Sequence, residues 1–123
     1  MARGFGTFEY RPPQRVFRNR PWIVVLFEQR YEQRVDGSKG KNYYVKESTG
    51  IAAGIFVTAL HHMGLATLTP SPMAFLRQVL GRPDNERPFV LFPVGYPLAG
   101  VKVPDIKRKS LDKVFVEVTA EDG

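Results

Sequence analysis

The chain has 123 residues, with 18 Lys and Arg against 12 Asp and Glu, a net charge of +6, and no cysteine. That length is one domain's worth, large enough for a core yet leaving much surface exposed, and the missing cysteine excludes disulfides, thiolate nucleophiles and Cys-ligated zinc or iron–sulfur sites. A hydrophobic content of 43% with 12% aromatics is that of a globular protein rather than a disordered or fibrous one, and with no charged leader ahead of an apolar run a cytoplasmic location is expected.

Residues 1–21 carry Arg3, Arg11, Arg15, Arg18 and Arg20 against Glu9 alone, four of the six excess charges, together with two glycines and three prolines. This predicts a basic extended arm over 1–21, ahead of a domain over 22–123. Such an arm suits an acidic surface or nucleic acid. No motif that enters a groove or stacks bases accompanies it, so nucleic acid is not the expected partner, and Gly4 with Gly6 is too short for a nucleotide loop.

Residues 22–27, WIVVLF, form a continuous β-branched and aromatic run, which predicts a central strand covered on both faces. Residues 28–41 are polar and end in Asp36-Gly37-Ser38-Lys39-Gly40, predicting a turn-rich, mobile connection.

The stretch 42–72 organises the rest. From Ser48 to Leu60 run thirteen residues without a charge, with Gly50, Ala52, Ala53, Gly54 and Ala59 keeping the segment slim while Ile51, Ile55, Phe56, Val57 and Leu60 fill space. This predicts a helix buried nearly all round, in a core or a subunit interface, with Asn42 as N-cap and Gly64 as a left-handed stop. Thirteen residues are too few to span a bilayer, which needs about 20, so no membrane partner is expected. A short strand over 65–69 follows. Ser71 as N-cap and Pro72 at the first helical position then predict a helix over 72–80, closed by Gly81 and Pro83.

Residues 88–96, PFVLFPVGY, predict a further strand, in which Pro93 marks a break or an edge. Residues 97–109 read as extended and basic at their end, and 114–118, VFVEV, as a last strand whose partner is distant in sequence.

Few of the chemistry-bearing residues form a constellation. His61 and His62 are adjacent, so on a helix they point about 100° apart and cannot share one metal; no metal site is expected. No Gly-x-Ser-x-Gly elbow is present, and Asp84 with Glu86 lies in a polar turn. Thr69, Pro70 and Ser71 differ, because two hydroxyls and several N–H groups stand where a strand ends and a helix begins, a place that favours electron-rich ligand atoms. Ser71 as a simple cap of its own helix is the competing reading. Arg108, within Lys107-Arg108-Lys109, suits either a phosphate clamp or a solvent-facing cluster.

Taken together, NYYVKESTGIAAGIFVTALHHMGLATLTPSPM, FLRQVLGRPDNERPFVLFPVGYP and VPDIKRKSLDKV, in that order, resemble the C-terminal half of nitroreductase-family flavoproteins, most closely the subgroup that includes iodotyrosine deiodinase and its bacterial relatives. The resemblance runs over about 21–116, and the series GRP, Glu86, PVGYP and VPDIKRK is more specific than any single short motif. It implies an α+β, nitroreductase-like three-layer sandwich with a central, mostly antiparallel sheet, built as an intertwined homodimer in which 114–118 pairs with the partner's sheet.

The resemblance also implies FMN at the subunit boundary, with Thr69, Pro70 and Ser71 along the isoalloxazine and Arg108 on the phosphate. Ser71 becomes the catalytic residue, its hydroxyl near flavin N5, unless a shorter loop than in relatives shifts that role onto Thr69. The implied activity is transfer of hydride from NAD(P)H through FMN to a small acceptor, nitroaromatic, quinone or halophenol. The upstream Arg-Arg-Ser-x-Arg phosphate loop, the Pro-Ser-Gly stretch and the substrate lid of the family have no counterpart here, so the chain is expected to be truncated, lacking the N-terminal part of the fold. A non-catalytic dimerisation or binding module that has lost flavin is the alternative.

Overall fold

The computed structural model describes residues 15–70 and 72–120. Its centre is an antiparallel sheet of three strands in the order β1-β5-β4, formed by Trp22–Gln29 (β1), Ala66–Thr67 (β4) and Glu86–Gly95 (β5). Tyr31–Gln33 (β2) and Lys39–Lys41 (β3) make a separate hairpin, Val45–His62 is the long helix α1, and Leu76–Val79 is the short helix α2. Every ladder among the described residues is antiparallel, in keeping with an α+β arrangement.

β5, not β1, is the central strand. Both edges of β5 are paired, by Trp22 through Gln29 on one side and by Ala66 and Thr67 on the other. Among the described residues β1 has one partner, and Trp22 is 82% exposed. A continuous apolar run reveals that both faces of a strand are apolar, but not which of its edges is paired. Pro93 causes no break: β4 ends at Thr67 opposite Val94, so no β4 residue stands opposite the proline and its missing N–H interrupts no ladder there. The irregularity falls instead between Leu26 and Phe27, where β5 carries Phe89 as an extra residue beside Pro88.

Alternation along the strands builds one core face. Leu26, Val90, Phe92 and Val94 meet Ala53, Phe56, Val57 and Leu60 of α1, with Leu65 beside them. The α1 positions recur at i, i+3, i+4 and i+7, one stripe of a helix. Phe92 is 1% exposed, and its ring lies 5.0 Å from that of Phe56. On the opposite sheet face none of Ile23, Val25, Phe27 or Leu91 is fully buried, so the described residues cover the sheet on one side.

α1 therefore departs from the expectation of burial all round. Leu60 is its one buried residue, and Ile51 and Ile55 are each 66% exposed. The helix carries two apolar stripes, and the described residues of one chain cover only the first.

Its ends also divide. Asn42 is not the cap: Tyr44 occupies that position at φ 54° without a side-chain bond, while the Asn42 amide donates to the Gln29 carbonyl at 3.0 Å, fastening the loop to β1. The C-terminus is as expected. Gly64 takes φ 77°, and the N–H groups of Leu65 and Gly64 donate to the carbonyls of Leu60 and His61, a Schellman closure. Gly81, at φ 64°, ends α2 in the same way, with Arg82 and Gly81 donating to Arg77 and Gln78.

Residues 28–41 form a hairpin rather than a mobile link. The Asp36 carboxylate accepts from the Ser38 N–H at 2.9 Å and from its hydroxyl at 2.6 Å, an Asx turn that lowers the Asp36 pKa below 3.8. Gly40 leaves room for the Glu32 side chain, whose carboxylate oxygen a Cβ there would meet at 2.5 Å. Ahead of β1, Phe17 is buried against the sheet end, bridged to Pro97, and Gly95 admits its ring, which would stand 3.0 Å from a Cβ at that position.

Residues 114–118 form no strand in this chain. A single 3-10 turn, Leu111–Lys113, precedes them, and Val116 and Val118 are 81% and 88% exposed. The alternating side chains are present, but among the described residues no edge is there to receive them.

Candidate functional site

The corner after β4 is where the sequence places its ligand chemistry. β4 stops at Thr67 because the chain turns away from β5 there, and Thr69 and Pro70 lie exposed beyond it. Ser71 lies outside the described residues. The helix predicted from Pro72 starts later: Leu76–Val79 is helical, with Phe75 at the cap position and no side-chain cap bond. The physical reason is a turn over 73–76, in which the Leu76 N–H donates to the Met73 carbonyl at 3.1 Å. The helix N-terminus invoked for electron-rich atoms is thus absent at Pro72, and a four-residue helix has almost no macrodipole to offer.

Arg108 lies on the exposed segment before the 3-10 turn. Among the described residues its guanidinium takes part in no ion pair. Among the described residues no hydrogen bond joins it to Thr69 or Pro70, so these residues are not brought into direct contact within one chain.

Charge pairing is organised around α2 and the start of β5. Arg77 donates to Asp84 at 2.7 Å, and Arg82 grips Glu86 through two bonds of 2.6 and 2.5 Å. Hydrogen bonding from Arg82, with its charge adding to it against the cost of burial, holds the Glu86 carboxyl below 4.5. Asp84 and Glu86 are thus each paired with an arginine, Asp84 on the open surface with its side chain 86% exposed and Glu86 largely covered at 15%.

One cavity borders these elements and another lies along α1. The first, of about 600 Å³, is bounded by the Pro72 and Ala74 segment, the start of β5, the end of β1 and the first turn of α1. Glu28 lines it and is 3% exposed. Sequence reading missed this residue by ending the strand at Phe27; carrying the alternation from Leu26 one step further puts position 28 on the core face. The other, of about 590 Å³, is an apolar groove along the second stripe of α1, lined by Ile51, Gly54, Ile55, Thr58, Ala59 and His62. Among the described residues no helix is long and apolar enough to cross a membrane.

A sequence profile of the Nitroreductase family matches residues 5–96. Iodotyrosine deiodinase of Haliscomenobacter hydrossis is 48% identical over 114 residues, which cover 91% of this chain and 50% of that protein. Iodotyrosine deiodinase 1 of Rattus norvegicus is 45% identical over 101 residues, covering 80% and 35%. This chain thus spans half or less of the length of these relatives. Among solved structures, oxidized iodotyrosine deiodinase bound to FMN and 3-iodo-L-tyrosine is similar at a TM-score of 0.54 and 25% identity, over 82% of this chain and 47% of that one.

Proposed function

The chain belongs to the nitroreductase family, and we propose that it supplies the sheet, the long helix and part of the flavin site of an FMN-dependent oxidoreductase acting as a homodimer. The observation that carries this reading is the structural likeness, over 82% of the chain, to a deiodinase that holds FMN.

The residues present fit such a group in their chemistry. A flavin mononucleotide needs an anion partner for its phosphate and hydrogen-bond donors along the edge of its ring. Arg108 offers an exposed guanidinium that no described carboxylate neutralises, suited to a two-pronged grip on phosphate. Thr69 offers an exposed hydroxyl, and Pro70 fixes the backbone of the corner. Ser71 is assigned the position beside the reactive edge of the ring, where a hydroxyl donor favours one protonation state over the other.

When bound, FMN supplies hydride chemistry. The protein's own task is to orient the ring and exclude water. Reduced nicotinamide is the proposed donor and a nitroaromatic, quinone or halophenol the proposed acceptor. The homodimer rests on the exposed second stripe of α1, Ile51 with Ile55, and on residues 114–118, which alternate as a strand and find no edge within the described chain.

The test is anaerobic reduction. The purified chain is mixed with FMN, and NADH or NADPH is added while the absorbance of oxidised flavin is followed. Bleaching by either nucleotide, reversed by a nitroaromatic or halophenol acceptor, supports the reading. Flavin that stays in solution, with no faster reduction than free FMN shows, opposes it and favours a dimerisation module without a cofactor.

A further inference from the structure

A buried carboxylate at the end of β1 has no partner. Glu28 is 3% exposed, and among the described residues its Oε2 meets no hydrogen-bond donor. Burying a carboxyl oxygen with no hydrogen-bond partner is costly, so its position points to a missing donor.

Its surroundings define that donor. Glu28 faces the cavity of about 600 Å³ whose lining also includes Arg30, Lys46 and Arg87. These three cations belong to none of the ion pairs among the described residues, whereas Arg77 is held by Asp84 and Glu86 by Arg82. Lys46 stands in the first turn of α1, where the helix end adds further positive field. A simple metal ion or amine would meet this excess of positive charge, and a simple anion would meet Glu28. A molecule carrying both signs satisfies both. Pro72, Pro88 and Phe89, on the same lining, give an apolar wall for a short hydrocarbon spacer.

We propose that this cavity binds a small zwitterion, its ammonium donating to Glu28 and its acid group facing Arg30, Lys46 and Arg87. The cavity borders the segment that continues from the Thr69 corner, through Pro72, but the proposal does not rest on the flavin assignment. The competing account is internal, with Lys46 closing onto Glu28 as a plain ion pair.

The experiment uses the chain without added FMN, so its outcome is independent of flavin binding. 4-Aminobutanoate and 6-aminohexanoate are titrated by amide-resolved NMR, with butylamine and butanoate as probes that each lack one charge. Saturable shifts around Glu28 and Lys46 for at least one zwitterion are expected, with the single-charge probes weaker by about tenfold or more. Glu28→Gln is expected to weaken the zwitterion by a similar factor without lowering the melting temperature, since the carboxyl it replaces makes no hydrogen bond among the described residues. Lys46→Gln, on the exposed rim, should weaken it too, which keeps the test available if position 28 tolerates no change. Absence of saturable shifts, or equal binding of butylamine alone, overturns the proposal. So does a double-mutant cycle in which Glu28→Gln and Lys46→Gln each destabilise the fold and are strongly coupled without any zwitterion effect.

Discussion

Phe56 of α1 rests on Phe92 of β5, with ring centroids 5.0 Å apart and planes inclined at 51°. That contact joins the helix to the central strand at the most deeply buried side chain of the core. Phe92→Ala should therefore cost about 3 to 5 kcal/mol, the range for emptying a buried aromatic position. Urea unfolding checks it, and a loss near 1 kcal/mol would mean that the core collapses to fill the space.

Gly64 holds α1 closed at φ 77°, a conformation in which a Cβ is strained. Nothing lies within 4 Å of an added Cβ there, so packing does not enter. Gly64→Ala is expected to destabilise by about 1 to 2 kcal/mol through the backbone alone, read from the same unfolding curves.

Acid should weaken the fold partly through Glu86. Its folded-state pKa is held below the ordinary value of 4.5, first by the hydrogen bonds from Arg82. A depressed carboxylate pKa contributes stability that is present above the unfolded value and is lost as pH falls through the folded one. Melting temperature should thus fall as pH drops below about 4.5, and the fall should be shallower in Glu86→Gln. Because the Arg82 side chain is 47% exposed, solvent screening keeps the effect small. An unchanged slope in the variant would remove Glu86 from the account.

The second stripe of α1 should behave as an interface. Ile51 and Ile55 flank an apolar groove of about 590 Å³, and a charge at its centre would have to be desolvated on association. Ile55→Glu is expected to shift light-scattering mass from dimer to monomer while leaving helix content intact. A variant that stays dimeric would place the interface elsewhere.

How far the sequence could be read depended on whether the determining contact was local. Gly64 and Gly81 were legible because a left-handed helix stop is written in one residue type, and the structure has both. The strands were legible as runs, but their order was not: β1 and β5 both read as apolar through and through, and only the ladder shows that β5 is paired on both edges. Pro72 misled, since proline suits a first helical turn and nothing nearby announces the intervening turn that delays α2 to Leu76. At the candidate site, Thr69 and Arg108 were named by residue type and resemblance. Glu28 escaped notice because a lone glutamate at the end of an apolar run looks like its polar boundary.

The central claim is that the Thr69 corner and Arg108 hold one flavin, and a fluorescence titration of FMN with the purified chain tests it most directly. The account predicts saturable quenching, weakened about tenfold to a hundredfold in Arg108→Ala, the loss of one charge-assisted grip on phosphate, and partly restored by Arg108→Lys. No quenching at any protein concentration, or equal affinity in Arg108→Ala, would contradict it.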